Sequence, residues 1–271
     1  MRFSEEKLIA TYRFVDPRPM LVDVGAHEGT VTRLFAAMGW DVIAFEPELE
    51  NRRHLKQNTA GMDNVICIPK AVSDRTGELL PFYVSSEHFG IHSLRPFHNT
   101  HSEADYKVVS VRLDDALAEL AVDRVSFLKI DVEGADYPAL KGFNFGKYRP
   151  EIIVVEFMDS RSLPNFGYTH HDMCSYMEEN GYIAYVSEWA PVREYGRKGQ
   201  AGVQHRWIRC EKYPLAHTPA WGNLIFIHPD NEEKFLVALR GYLQTGENPG
   251  RPGLMGRVLR SLRRFIRPRQ T

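Results

Sequence analysis

Carboxylates that close apolar runs, and glycines that follow the first such run, are the residues of this chain best placed to do chemistry. VDVGAHEG (Val22–Gly29) ends an apolar stretch in a turn with Gly25 and Gly29, directly before a helix-like segment. Strand, glycine turn and helix together cradle nucleotide-like ligands, with free amides at the helix start. A dinucleotide turn needs G-x-G-x-x-G so that backbone can approach a pyrophosphate. Here the spacing is G-A-H-E-G with no third glycine, which disfavours a dehydrogenase. Glu46 closes the next apolar run and can accept hydrogen bonds from two vicinal ribose hydroxyls. Asp23 can hold an ammonium group near the turn, and the amides near Gly29 and Thr30 suit a small carboxylate. Ribose, ammonium and carboxylate together describe S-adenosylmethionine. The plainer alternative is a glycine turn that only joins strand to helix.

A second set of acids follows further on. Asp131 and Glu133 close LKIDVEG, and Glu156 closes IIVVE. Neighbouring strands run about 4.8 Å apart, so carboxylates ending adjacent strands can share a pocket. Carboxylates so placed can position a bound group and take up a proton from it. Asp131 is the first choice for that base or for positioning the acceptor. Glu133 and Glu156 can assist it or hold a divalent metal with it, though Glu133 also reads as an acid favoured by a helix start. Lys129 alternates onto the face of Asp131 and reads as structural.

These residues need a sheet to hold them. Strands are expected at 20–24, 41–46, 64–72, 108–113, 125–131, 151–157, 182–186 and 223–228. Helices are expected at 30–38, 48–58, 114–120, 172–180 and 231–242, with a short one capped by Ser4 at the start. Val/Ile-rich strands without strict alternation, separated by helices, imply a mainly parallel α/β sheet with helices on both faces. Three segments stand apart: a lead-in at 1–19, and insertions at 85–107 and 187–222 within a domain spanning 20–243. Loops of that length are commonly lids or binding loops.

The ordered blocks VDVGAHEG, FEP, AVSDRTG, LDDAL, LKIDVEG and IIVVE, from Met20 to Glu156, resemble the FkbM family of S-adenosylmethionine-dependent methyltransferases. The resemblance implies a class I, Rossmann-like methyltransferase sheet of seven strands with the last one inserted antiparallel. It also implies O-methylation, typically of a sugar hydroxyl in a glycan, glycolipid or natural product. The cofactor side would then comprise Asp23, Gly25, Ala26, Gly29, Thr30, Glu46, Pro47 and, against adenine, Ala71 and Val72. Asp74 reads as a turn residue before Gly77. The competing readings are an RNA ribose methyltransferase and a non-catalytic protein that keeps the fold. A Lys-Asp-Lys-Glu tetrad would place a lysine just past IIVVE, where Phe157-Met158-Asp159 stands, and the intact Asp23, Gly25, Glu46 and Asp131 argue against decay.

The four histidines His88, His92, His98 and His101 lie in a polar stretch without cysteine and read as hydrogen-bonding groups rather than zinc ligands. His92 is the exception, a candidate for a loop closing over donor and acceptor. His27, in the glycine turn, reads as a local hydrogen-bonding residue. Trp189, Trp207 and Trp221 in the second insertion suit stacking on sugar rings, or else form a small satellite core. Of 271 residues 43% are hydrophobic, no run is long enough to span a bilayer, and the three cysteines are isolated. With a polar N-terminal segment, these features fit a reducing cytoplasm. The net charge of −1 hides seven arginines and no acid from Pro249 to Thr271. After a linker beginning at residue 244, the segment 254–267 has an apolar arc opposite five arginines at helical period. That pattern suits an anionic membrane surface better than nucleic acid.

Overall fold

The structure, a computed structural model, describes residues 3–88, 90–197, 203 and 205–245. The basic segment 254–267 and nearly all of its linker lie outside the described residues.

Eight strands form the main sheet. Its parallel part comprises β1 (Met20–Val24), β2 (Asp41–Phe45), β3 (Val65–Ile68), β7 (Phe127–Ile130) and β8 (Ile152–Phe157). Beyond β8 lie β11 (Trp221–Ile227), β9 (Ile183–Trp189) and β10 (Trp207–Lys212), in the order β10-β9-β11-β8-β7-β1-β2-β3. β11 is antiparallel to both β8 and β9, as expected for an inserted last strand. The strand count departs from the expected seven because part of the 187–222 insertion pairs as β10 on the outer edge of β9. Outside the sheet, β5 (Leu79–Ser85) pairs antiparallel with β6 (His101–Val111), which also pairs with the short β4 (Ala71–Val72). The expected strand 64–72 is therefore split between two sheets. Pro69, which lacks an amide donor, stands at the break. The expected strand 108–113 instead begins at His101, inside the stretch read as irregular, and Leu113 passes to a helix.

Alternation sends successive strand residues to opposite faces. Val22, Val24, Leu128, Ile130, Ile153 and Val155 pack on one face against α4 (Leu113–Glu119), α5 (Asp136–Lys141), α6 (Phe145–Tyr148) and α8 (His170–Glu179). Leu21, Phe127, Ile152 and Val154 pack on the other against α1 (Glu5–Thr11), α2 (Thr30–Ala36) and α9 (Glu232–Thr245). The remaining helices are α3 (Leu49–Asn58), after β2, and α7 (Asp159–Phe166), after β8. Both covered faces explain why the central strands read as unbroken apolar runs. Neither α5, α6 nor α7 was legible in the sequence, being short and, in α7, interrupted by Pro164.

Trp189 and Trp207 belong to this second face, not to a sugar platform. Phe3 stacks on Trp207 at 4.2 Å between centroids, and Trp189 Nε1 donates to Glu5 Oε1 (2.8 Å). Buried Glu5 also accepts from Ser187 Oγ (2.6 Å) and is pushed up to about 7 by burial. Trp221 alone of the three borders the cavity described next.

Candidate active site

The carboxyl ends of β1, β2, β7 and β8 converge on a cavity of about 420 Å³. Gly25 and Ala26 both donate their amides to Phe45 O (3.0 Å each), and Asp131 N donates to Val24 O (3.0 Å), so the strand ends are tied together. Gly25 has φ +78, and a Cβ there would stand 1.9 Å from Asp131 O. The first glycine is thus required by contact with the end of β7. Gly29, also at positive φ, caps α2 and abuts Leu55, where a Cβ would come within 2.4 Å of Cδ1. It packs the turn but does not line the cavity, unlike Asp23, Gly25, Ala26, Thr30, Glu46, Pro47, Ala71 and Val72.

Glu46 is held by its neighbours' backbone. Its Oε2 accepts from His27 N and its Oε1 from Glu48 N, both at 2.8 Å. His27 takes φ +52 to present that amide, so its contribution here comes through backbone. Burial pushes the Glu46 carboxyl up to about 7, against the lowering effect of these two bonds. Asp23 is fully buried beneath the turn. Its Oδ2 accepts from Thr32 Oγ1 (2.7 Å), while its Oδ1 accepts no hydrogen bond and lies 3.9 Å from Lys129 Nζ. Asp23 and Lys129 are register partners on adjacent strands, which explains the pairing. Lys129 also donates to Asp131 Oδ2 (3.1 Å). Burial works against this ammonium, but Asp131 and Asp23 outweigh it and raise its pKa. The lysine read as structural is a tether between two site carboxylates.

S-adenosylmethionine fits this half of the cavity on three observations: an oriented ribose acceptor in Glu46, a buried Asp23 oxygen with an unused lone pair, and a turn without side-chain obstruction at Gly25. Replacing Glu46 with alanine is expected to weaken binding by about 1–3 kcal/mol, as ribose hydroxyls lose a buried acceptor. Titration calorimetry should also show wild-type affinity falling as pH drops below about 7, where Glu46 gains its proton. Unchanged affinity in the variant would remove Glu46 from the site.

At the other end, carboxylate oxygens of Asp131, Glu133 and Glu156 all lie within 4.8 Å of one another. Between them stands a residue that sequence reasoning missed. Arg161, on α7 and only 4% exposed, donates through Nη1 to Glu156 Oε2 (2.8 Å) and forms an ion pair with Glu133 Oε2. Its guanidinium lies over the Phe97 ring, 4.5 Å from the centroid. Burial raises the Glu133 pKa well above the carboxylate range and pushes Glu156 to about 7; Arg161 opposes both shifts. An oxygen-only donor set suits magnesium or calcium. A guanidinium shared by two of the three carboxylates already supplies the compensating charge, however, so the arrangement does not favour a metal. Asp131 is different: it is tied only through Oδ2, and its side chain is 39% exposed.

His92 borders the cavity, but its Nδ1 accepts from Ser85 N (3.1 Å). The neutral ring therefore carries its proton on Nε2 and faces its surroundings as a donor. In that tautomer His92 is a hydrogen-bond donor at the border of the cavity. His88 and His98 pack with Tyr195, and no metal-binding group of histidines occurs among the described residues. Asp74 forms an ion pair with Lys141 (3.5 Å) near its turn.

A parallel sheet ordered β3-β2-β1-β7-β8, closed by an antiparallel strand inserted before β9, with acids at the strand ends around one cavity, defines the class I methyltransferase fold. The Methyltransferase FkbM domain model matches residues 23–184, and the chain belongs to that family. The 2-O-methyltransferase NoeI of Sinorhizobium fredii (strain NBRC 101917 / NGR234) is 25% identical over 158 residues. That match covers 53% of this chain and 65% of NoeI, just under two thirds of its length. Among solved structures, an rRNA methylase from Streptococcus thermophilus aligns at 9% identity and TM-score 0.42, over 82% of this chain and 93% of that one. An O-methyltransferase from Bacillus cereus aligns at 9% and 0.42, over 81% and 76%. The fold assignment rests on the strand order itself.

Proposed function

We propose that this protein transfers a methyl group to a hydroxyl oxygen of a sugar, in a glycan, glycolipid or glycosylated natural product. The observation that carries the reading is the contrast among the three acids: Glu133 and Glu156 are held by Arg161, whereas Asp131 keeps an oxygen toward the cavity. A relative named as a 2-O-methyltransferase supports oxygen as the acceptor atom.

When bound, S-adenosylmethionine supplies an electrophilic sulfonium methyl whose transfer leaves a neutral thioether. Glu46 would hold the ribose, Asp23 and the turn amides the amino-acid end, and Ala71 and Val72 the adenine side. Asp131 accepts the proton that the acceptor hydroxyl loses as its oxygen bonds to carbon. Lys129 fixes the orientation of Asp131 through its bond to Oδ2. Release of S-adenosylhomocysteine on a panel of glycosides tests the reading. Binding of the donor without turnover on any of them would count against a sugar acceptor.

We also infer that segment 254–267 meets an anionic membrane surface, where lipid-linked glycans reside. Its period supports this: Leu254, Met255, Val258, Leu259, Leu262, Phe265 and Ile266 form one arc, opposite Arg257, Arg260, Arg263, Arg264 and Arg267. Each arginine adds roughly 1 kcal/mol near such a surface. Among the described residues no helix is long and apolar enough to cross a membrane. The intact protein is expected to pellet with phosphatidylserine vesicles at low salt, and deletion of 254–271 to release it with activity on soluble acceptors retained. Equal pelleting after deletion would end the idea.

A further inference from the structure

The helix α1 stands outside the matched family domain, which begins at residue 23, yet one of its side chains borders the donor half of the cavity. Its start lies at the carboxyl end of the sheet and its finish at the opposite end. Glu5 is held by Ser187 and Trp189 at the close of β9, whereas Tyr12 Oη donates to Glu151 Oε2 (3.0 Å) directly before β8. β8 and β9 run the same way, each being antiparallel to β11. Leu8 and Ile9 are fully buried, so packing fixes the helix as well as these bonds do.

Successive helical residues point about 100° apart. The neighbours Glu5 and Glu6 therefore diverge. Glu5 turns into the sheet edge, and Glu6 borders the cavity together with Asp23, Gly25 and Thr30. Glu6 Oε2 accepts from Ser4 Oγ (2.8 Å), the residue that caps α1, and this steadies the side chain. Burial raises the Asp23 pKa most, and Glu6 adds to that rise. On Lys129 the effect of burial is outweighed by Asp131, Asp23 and Glu6 in that order. Glu6 is thus close enough to act on both residues.

Asp23 alone does not complete a seat for an ammonium. It is fully buried and borders the cavity, and its Oδ1 accepts no hydrogen bond. An ammonium brings three N–H donors, of which that oxygen satisfies one. A second carboxylate at the same end of the cavity supplies another acceptor, and a cation beside both relieves their repulsion.

We propose that Glu6 joins Asp23 in binding the α-ammonium of S-adenosylmethionine, so that the lead-in helix completes the amino-acid end of the donor site. The inference rests on the donor reading and adds to it a residue from outside the family domain.

The test is titration calorimetry on the full-length protein with two probes: S-adenosylhomocysteine, and its analogue with hydrogen in place of the amino group. Glu6→Gln keeps the length of the side chain and an oxygen for Ser4. It should weaken S-adenosylhomocysteine about 10-fold or more, the loss of a charge-assisted hydrogen bond, and leave the deaminated analogue unchanged. Glu6→Asp, which keeps the charge on a shorter arm, should recover part of the loss, and it carries the test if thermal melting shows Glu6→Gln unfolded. Glu46→Ala should weaken both probes alike, because both contain the ribose. Wild-type affinity of Glu6→Gln for S-adenosylhomocysteine, or equal losses on the two probes, would overturn the proposal. Wild-type protein that binds neither probe would instead overturn the donor reading beneath it.

Discussion

Replacing Asp131 with asparagine is expected to lower kcat about 10²–10⁴-fold while donor binding stays near wild type, the usual cost of losing a general base. The amide keeps the shape of the carboxylate and an acceptor oxygen for Lys129, but it cannot take up the acceptor's proton. Asp131 follows β7 and Glu46 follows β2, with β1 between them, so the ribose contacts should survive. The measurement is single-turnover methyl transfer across a pH series, beside calorimetry with S-adenosylhomocysteine. Turnover close to wild type at every pH would place the base elsewhere, with Glu156 next to test. A chelator that abolishes wild-type activity, with recovery on adding magnesium, would show that the three carboxylates hold a metal despite Arg161.

Arg161→Ala should be the most destabilising single change at the site, by about 3–5 kcal/mol, because it strands two buried carboxylates. Glu133 and Glu156 already have raised pKa values from burial, and Arg161 is the main influence holding them down. Without it both would rise further above their unfolded values. The folded variant then binds protons that the unfolded chain has released, so its stability falls as pH rises. The difference from wild type should be large at pH 8 and smaller near pH 5. Denaturant unfolding at both pH values checks the sign. Adding Glu133→Gln and Glu156→Gln should recover part of the loss by removing the stranded charges. Arg161→Lys should fall between, since one ammonium cannot reproduce the guanidinium's planar reach to both partners. Wild-type stability of Arg161→Ala at pH 8 would mean the ion pairs do not hold the site together. In the same variant, activity surviving with a shifted pH profile would mark Arg161 as a positioning residue rather than a group touching substrate.

A mainly parallel sheet, the turn at Gly25 and the acids ending β1, β2, β7 and β8 were legible in the sequence, because each leaves a local trace; the antiparallel last strand was implied only by the family resemblance. Buried parallel strands read as Val/Ile runs, a backbone forced to positive φ calls for glycine, and an acid directly after an apolar run stands out. The sequence therefore determined the class of fold and which carboxylates share one end of the sheet. What it could not determine depends on distance through space. Arg161 is an unremarkable residue in DSRSL until α7 carries its guanidinium between Glu133 and Glu156, 28 and 5 positions back along the chain. His92 reads from the sequence as a loop residue near donor and acceptor, and only the structure shows the Ser85 amide donating to its Nδ1. Trp189, Trp207 and Trp221 have the same composition signal, yet strand pairing packs two against the core beside Phe3 and leaves the third at the cavity. Gly29 resembles Gly25 in sequence and differs only in what its Cα faces, Leu55 rather than the end of β7. Identity and spacing fix which groups are available along a strand. Which of them are free to act is fixed by the partners that neighbouring elements bring, and that was decided only when the sheet, α7 and the insertion packed together.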